Sequence, residues 1–338
     1  MKLPSRVSSR NLIRTSLILC LGIFFLTSSA AAQDDWMPSH DVVSRVDSGT
    51  HYNSGDTPEV VWTQVVQAEG AEWIRLKFSH LVLAHDEIGG TSSTIKITSL
   101  KDGATQYLDG ISARQWYNSS AYFNGDAVRL ELIAYPNGRM NLVRVGHVTA
   151  GEVPTDYQDS ICGNTDDRQL SNDPRVGRTI PGGCTAWLFN DRKHCMLTAG
   201  HCAPSTDVIA FNVPLSNSNG SYNFPPPEDQ YSVDQSSMQG VDGGVGNDWA
   251  YFGCFPNSNT GLTAFEAQGD SFELAAPPSV NGSIRITGHG TTSAPVNPQW
   301  NGAQKTHVGP YVSFSGAALG YTADTTGGNS GSPVIFEG

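Results

Sequence analysis

The sequence predicts an all-β protein, a β-sandwich module followed by a larger β domain, and three observations carry that expectation. Glycine and proline are frequent, 36 and 19 in 338 residues, and punctuate the chain as turn residues. Short runs alternate apolar and polar side chains with the two-residue period of a half-buried strand. Beyond the first thirty residues long apolar runs are few, which favours many short strands. A chain of this length ordinarily divides into two domains.

Residues 1–32 read as a secretory signal peptide. Lys2, Arg6, Arg10 and Arg14 precede the apolar run 17–26, and Ala30-Ala31-Ala32 forms a small-residue cleavage site. The run is too short for an ordinary transmembrane helix. The mature protein is therefore expected to be secreted, extracellular or periplasmic, with no membrane partner once the signal is removed. Loss of the segment takes the formal charge from −12 to −16, with 16 basic and 32 acidic residues left. Such a surface disfavours nucleic acid and anionic lipid and suits solubility outside the cell.

A polar, loose stretch is expected to about Pro58, then a β-sandwich over 58–150. Strands are predicted at 73–78, 95–98, 128–132 and 143–145, separated by the turn signals Asp102-Gly103, Asn124-Gly125 and Asn137-Gly138. With these alternating runs the module faintly resembles the CUB-like accessory modules of secreted bacterial enzymes. Trp116, Tyr117, Tyr122 and Phe123 are read as packing residues, with a carbohydrate or protein platform as the alternative. Residues 151–159 read as a linker.

The second half carries the chemistry. Near its end lies Thr325-Thr326-Gly327-Gly328-Asn329-Ser330-Gly331-Ser332-Pro333. Glycines around a serine permit a sharp turn that aims backbone amides at one point. With Ser330 as nucleophile, the amides of Gly328 and Ser330 would form an oxyanion hole. A base and an orienting acid stand upstream: His201 in Leu197-Thr198-Ala199-Gly200-His201-Cys202, and Asp248 in Asn247-Asp248-Trp249-Ala250-Tyr251. Asp229, Asp234 and Asp242, in a polar segment 216–246 read as surface loop, are rival acids. Asp248 is preferred because it opens the apolar stretch 249–255, which would bury the carboxylate.

The chain order His, Asp, Ser separates this arrangement from α/β-hydrolases and subtilisins, and Ser332 breaks the G-x-S-x-G elbow. On these motifs, over about 160–338, the chain resembles the chymotrypsin superfamily of serine endopeptidases, and most closely its bacterial glutamyl endopeptidase (V8-like) branch. Cys162-Gly163-Asn164-Thr165-Asp166-Asp167-Arg168 is similar to the mature amino-terminal region of that branch. The resemblance implies a trypsin-like peptidase domain at 160–338 folded as a double β-barrel, peptide or protein substrates, and no cofactor. Strands at 183–189 and 196–199 would belong to its first barrel, and the segments 283–290, 305–308 and 311–314 to its second.

It further implies a disulfide between Cys184 and Cys202 that ties down the histidine loop. Cys162, Cys195 and Cys254 remain, and one of them is left over after any second pairing; its partner is expected beyond Gly338. In such zymogens a new α-amino group pairs with an aspartate just before the serine. Asn329 stands there, so that ion pair is missing, while any proenzyme cut would fall between Gly151 and Arg178.

Thr325 matches the position where glutamyl endopeptidases use a hydroxyl to bind an acidic side chain. Asp324 falls where trypsin-like enzymes bind Lys or Arg, and the two substrate-binding candidates point opposite ways. A secreted esterase and a non-catalytic binding module on the same scaffold stay open. His80, His85, His289 and His307 lack partners at ligand spacing, and no metal site is expected. Only eight residues follow Ser330, too few for the last strands of a second barrel, so the sequence is expected to be a fragment of a longer product.

Overall fold

The computed structural model describes residues 37–337 apart from 86–90, 137, 155–158, 163, 279–281 and 293–296. The signal expected at 1–32 and part of the expected linker lie outside the described residues. Among the described residues the fold is all-β, with short helices only.

Two antiparallel sheets make the first module. One runs Ser39–Val43, Asn141–Gly151, Trp73–Val82, Ser119–Asn124, with Asp47–His51 also on the Asn141–Gly151 strand; the other runs Glu59–Gln67, Ala127–Ala134, Thr94–Ser99, Thr105–Leu108. Leu76, Phe78, Val143 and Val145 of the first sheet share one buried cluster with Ile95, Ile97, Leu130 and Leu132 of the second. The alternation seen in the sequence is this inward face.

Two boundaries differ from expectation. The stretch before Pro58 is not loose, since Ser39–Val43 and Asp47–His51 pair with Asn141–Gly151. Ser39–Val43 is exposed along its whole length, so backbone ladder bonds hold it and no apolar alternation announces it. Nor does a linker begin at Gly151, the last residue of its strand. A Cβ there would stand 2.0 Å from Trp73 Cε2, so the glycine marks close packing.

Three of the four aromatics are core, and Tyr117 is exposed. Trp116, Tyr122 and Phe123 are buried, and Tyr122 stacks on Phe224 at 4.9 Å between centroids. Phe224 belongs to the segment 216–246, which is therefore not surface loop. Tyr222 and Phe224 are buried, and Gln230–Asp242 is a strand. Its polar character is absorbed by hydrogen bonds: the Gln230 side chain accepts the Tyr122 amide at 2.9 Å and donates to the Tyr122 and Pro225 carbonyls. A buried amide so satisfied costs little.

Six antiparallel strands then close a barrel in the order Val176–Pro181, Thr185–Leu188, Met196–Thr198, Asp248–Cys254, Gln230–Asp242, Thr206–Ala210. Leu188, Met196, Phe211, Tyr231, Val233 and Phe252 fill it. The last part is an open sheet: Gln169–Leu170, Lys305–Ser315, Ser283–Gly288, Val334–Phe336, with Ala318–Tyr321 on Lys305–Ser315. Asp159–Ser160 pairs with Thr325–Thr326, which brings the start of this half beside the serine turn.

Candidate active site

His201 sits on the 3-10 turn Gly200–Ser205, just after the barrel strand Met196–Thr198. Gly200 precedes it because a Cβ there would meet the Val241 carbonyl at 2.0 Å and Asp248 Oδ1 at 2.9 Å. The disulfide between Cys184 and Cys202 is formed, with 6.3 Å between Cα atoms. It anchors the residue after His201 to the residue that opens strand Thr185–Leu188.

Asp248 is the first residue of Asp248–Cys254. Its Oδ2 lies 2.7 Å from His201 Nδ1, and its Oδ1 accepts the His201 amide at 2.9 Å. Two bonds from one residue fix both the ring and its backbone. The expected burial by 249–255 is not how this is done: the Asp248 side chain is 22% exposed and Trp249 is exposed. Orientation comes from the paired hydrogen bonds. The rival acids are engaged elsewhere or open to solvent. Asp229 accepts from Asn212 Nδ2 and Asp234 from the Ser236 hydroxyl and amide, while Asp242 is exposed opposite Asp248 on the paired strand.

Ser330 lies on a turn built around two left-handed glycines. Gly328 has φ +89°, and a Cβ on it would crowd the His289 and Gly183 carbonyls at 2.8 and 2.9 Å; Gly331 has φ +80°, and a Cβ would stand 2.3 Å from Thr198 Oγ1 and 2.8 Å from the Ala199 amide nitrogen. Only residues without a Cβ fit both demands. Gly331 thus packs the serine turn onto the strand end that leads into His201. The Ser330 carbonyl accepts the Thr185 amide at 2.9 Å, whereas the amides of Gly328 and Ser330 have no acceptor among the described residues.

Thr185, which sequence reasoning missed, is the hub of this arrangement. It is fully buried. Its hydroxyl donates to the Gly328 carbonyl at 2.8 Å and accepts the His289 amide at 2.9 Å, and its carbonyl accepts the Thr198 hydroxyl at 2.7 Å. A threonine on a strand carries no motif; only its position beside Cys184 hinted at the site.

The Asp324 side chain is buried and engaged by the backbone. It is 1% exposed, its two oxygens accept the Cys162 and Asp167 amides at 2.7 and 2.8 Å, and His307 Nδ1 is 3.3 Å from Oδ2. Thr325 is half-buried on the two-residue strand paired with Asp159–Ser160. A hydrogen bond between Thr325 and Tyr321 partly offsets burial, which raises the Tyr321 phenol.

His289 is structural. It is buried with Nδ1 3.1 Å from the Gly302 carbonyl, and burial together with nearby Arg178 lowers its pKa to about 3. Among the described residues, Cys184, His201 and Cys202 are the His, Cys, Asp or Glu side chains close enough to share a metal ion, and both sulfurs are used by the disulfide.

No family model matches the chain, and no curated protein matches it. Among solved structures it is similar to a thermostable serine protease, AL20, from an extremophilic microorganism, at 18% identity over 49% of this chain and 80% of the other, with a TM-score of 0.36. It is similar to the protease Anisep from Arthrobacter nicotinovorans at 17% identity, 51% and 81% coverage, and a TM-score of 0.39. A Glu endopeptidase solved with MPD gives 17% identity, 55% and 83% coverage, and a TM-score of 0.37.

Proposed function

We propose that the chain is an exported serine endopeptidase that hydrolyses peptide bonds through an acyl-enzyme on Ser330. The observation that carries this reading is the pairing of His201 Nδ1 with Asp248 Oδ2 at 2.7 Å, beside a serine turn with two unengaged amides. With Nδ1–H donated to the carboxylate, His201 Nε2 is left as the base. Ser330 Oγ attacks the scissile carbonyl, and its proton passes to Nε2 and then to the leaving amine. Water deacylates the enzyme by the same route in reverse. The amides of Gly328 and Ser330 hold the oxyanion, each donor contributing about 10² to 10³ in rate.

An acidic residue before the scissile bond is the preference favoured here. Lys or Arg specificity would need a free Asp324 carboxylate, and that carboxylate is occupied by the Cys162 and Asp167 amides. Thr325, which hydrogen-bonds Tyr321, is the residue at the position where the resemblance places a substrate-binding hydroxyl.

A quenched peptide library with the full-length protein and its Ser330→Ala variant tests both levels. Cleavage after Glu or Asp, abolished in the variant, is the expected result. Cleavage after Lys or Arg would overturn the specificity, cleavage of simple esters alone would point to an esterase, and no Ser330-dependent hydrolysis would leave a binding module.

A further inference from the structure

The turn that carries Ser330 is braced from beneath by a buried ion pair supplied from far upstream in the chain. The Arg168 and Asp166 side chains are 1% and 8% exposed. Arg168 Nε and Nη2 donate to Asp166 Oδ1 and Oδ2 at 2.7 and 2.5 Å. Burial alone would raise the Asp166 carboxyl, but the guanidinium beside it outweighs that and holds it below the usual carboxylate range. The pair is therefore charged, and Asp166 leaves part of the guanidinium fork free to face the serine turn.

That fork grips the turn at both ends. Nη1 donates to Thr326 Oγ1 at 2.7 Å and to Asn329 Oδ1 at 3.3 Å, while Nη2 reaches the Thr291 carbonyl at 2.9 Å. Asn329 Oδ1 also accepts the Thr326 amide at 3.1 Å, and the Thr326 hydroxyl donates to the Thr291 carbonyl at 2.9 Å. Thr326 and Asn329 bracket Gly328, and Asn329 adjoins Ser330. Space for the guanidinium exists because residue 290 is glycine: a Cβ there would lie 2.1 Å from Asn329 Oδ1 and 2.7 Å from Arg168 Nη1. A planar guanidinium holds such acceptors at set angles, which an ammonium cannot do.

The strap bearing Arg168 is itself tied to the turn. Asp159–Ser160 forms a ladder with Thr325–Thr326, and Asp324 accepts the Cys162 and Asp167 amides.

We infer that Arg168 is a positioning residue for the Gly328 and Ser330 amides, and that this internal cation completes the oxyanion turn in the uncut chain. Activity at Ser330 does not wait on a new amino terminus, and any cut releasing the sandwich falls before Asp159. The inference rests on the peptidase reading above.

Full-length protein is treated with a fluorophosphonate probe, and intact mass identifies the labelled species, with Ser330→Ala alongside. Label on the uncut chain, absent from Ser330→Ala, is the expected result. Label confined to molecules cut within 151–178 overturns the inference and leaves the peptidase reading intact. Absence of Ser330-dependent label on every species overturns both.

Two variants test Arg168 itself. Arg168→Met combined with Asp166→Leu removes both buried charges together. It is expected to lose about 100-fold in kcat, the size of one oxyanion donor, with KM unchanged and a cooperative melt. Arg168→Lys, which keeps the charge and loses the fork, is expected to recover part of that loss. Wild-type kcat together with a lowered Tm in the double variant, or in Arg168→Gln should the double variant fail to fold, would show Arg168 to be structural only and sink the positioning role.

Discussion

The Thr185 hydroxyl donates to the Gly328 carbonyl at 2.8 Å while accepting the His289 amide at 2.9 Å. One buried side chain on the barrel thereby fixes the carbonyl of the peptide that precedes Asn329. Thr185→Val keeps the shape and removes both bonds. Leaving the Gly328 carbonyl and His289 amide unsatisfied is expected to cost about 1–3 kcal/mol of stability. The peptidase reading adds a fall in kcat of about tenfold or more. Thermal melts and peptide kinetics on the same preparation separate the two effects.

Asp248→Asn should leave the fold in place and remove most of the activity. The amide can still accept the His201 main-chain N–H but would favour the wrong imidazole tautomer, for which a loss of about 10⁴ in kcat is expected. Hydrolysis near the wild-type rate in the variant would move the orienting role to another residue.

Reduction-proof variants of the histidine loop address the disulfide. With Cys184 and Cys202 separated by 18 positions, replacing both by alanine is expected to lower stability by about 3 kcal/mol. Denaturant titration of the double variant reads this directly.

Gly151→Ala is expected to destabilise the first module by about 1–3 kcal/mol, since the added methyl must displace the Trp73 ring. A depressed Tm with unchanged peptide hydrolysis is the anticipated pattern.

The buried His289 predicts a pH dependence. Its pKa is lowered to about 3 from 6.5, so the unfolded chain takes up its proton first as pH falls. Stability from this group is complete above about pH 6.5 and is lost progressively down to about pH 3, at up to about 1.4 kcal/mol per pH unit. His289→Gln should flatten stability against pH across that window. An unchanged slope would mean the ring is protonated in the folded state.

Much of this was legible along the chain. The strands Trp73–Val82, Thr94–Ser99 and Ala127–Ala134 follow from alternation, because one face of each is buried. Ser39–Val43 had no such signal, being exposed throughout. Gln230–Asp242 was disguised because the side chain of Gln230 is satisfied largely by the backbone of Tyr122, distant in sequence. Asp324 shows the same limit in the site: its position suggested a substrate pocket, while its carboxylate is turned onto the Cys162 and Asp167 amides.

The sequence by itself determined the all-β class, the spacing of His201, Asp248 and Ser330, and the glycines that permit the serine turn, because alternation, glycine and motif order are local properties. Only the tertiary structure decided which carboxylate faces His201, what Asp324 holds, and that Thr185 and Arg168 brace the turn. Those relations join residues up to 162 positions apart, where no local pattern records which polar group will meet which; for the buried Asp324, Thr185 and Arg168, a partner is required by burial itself.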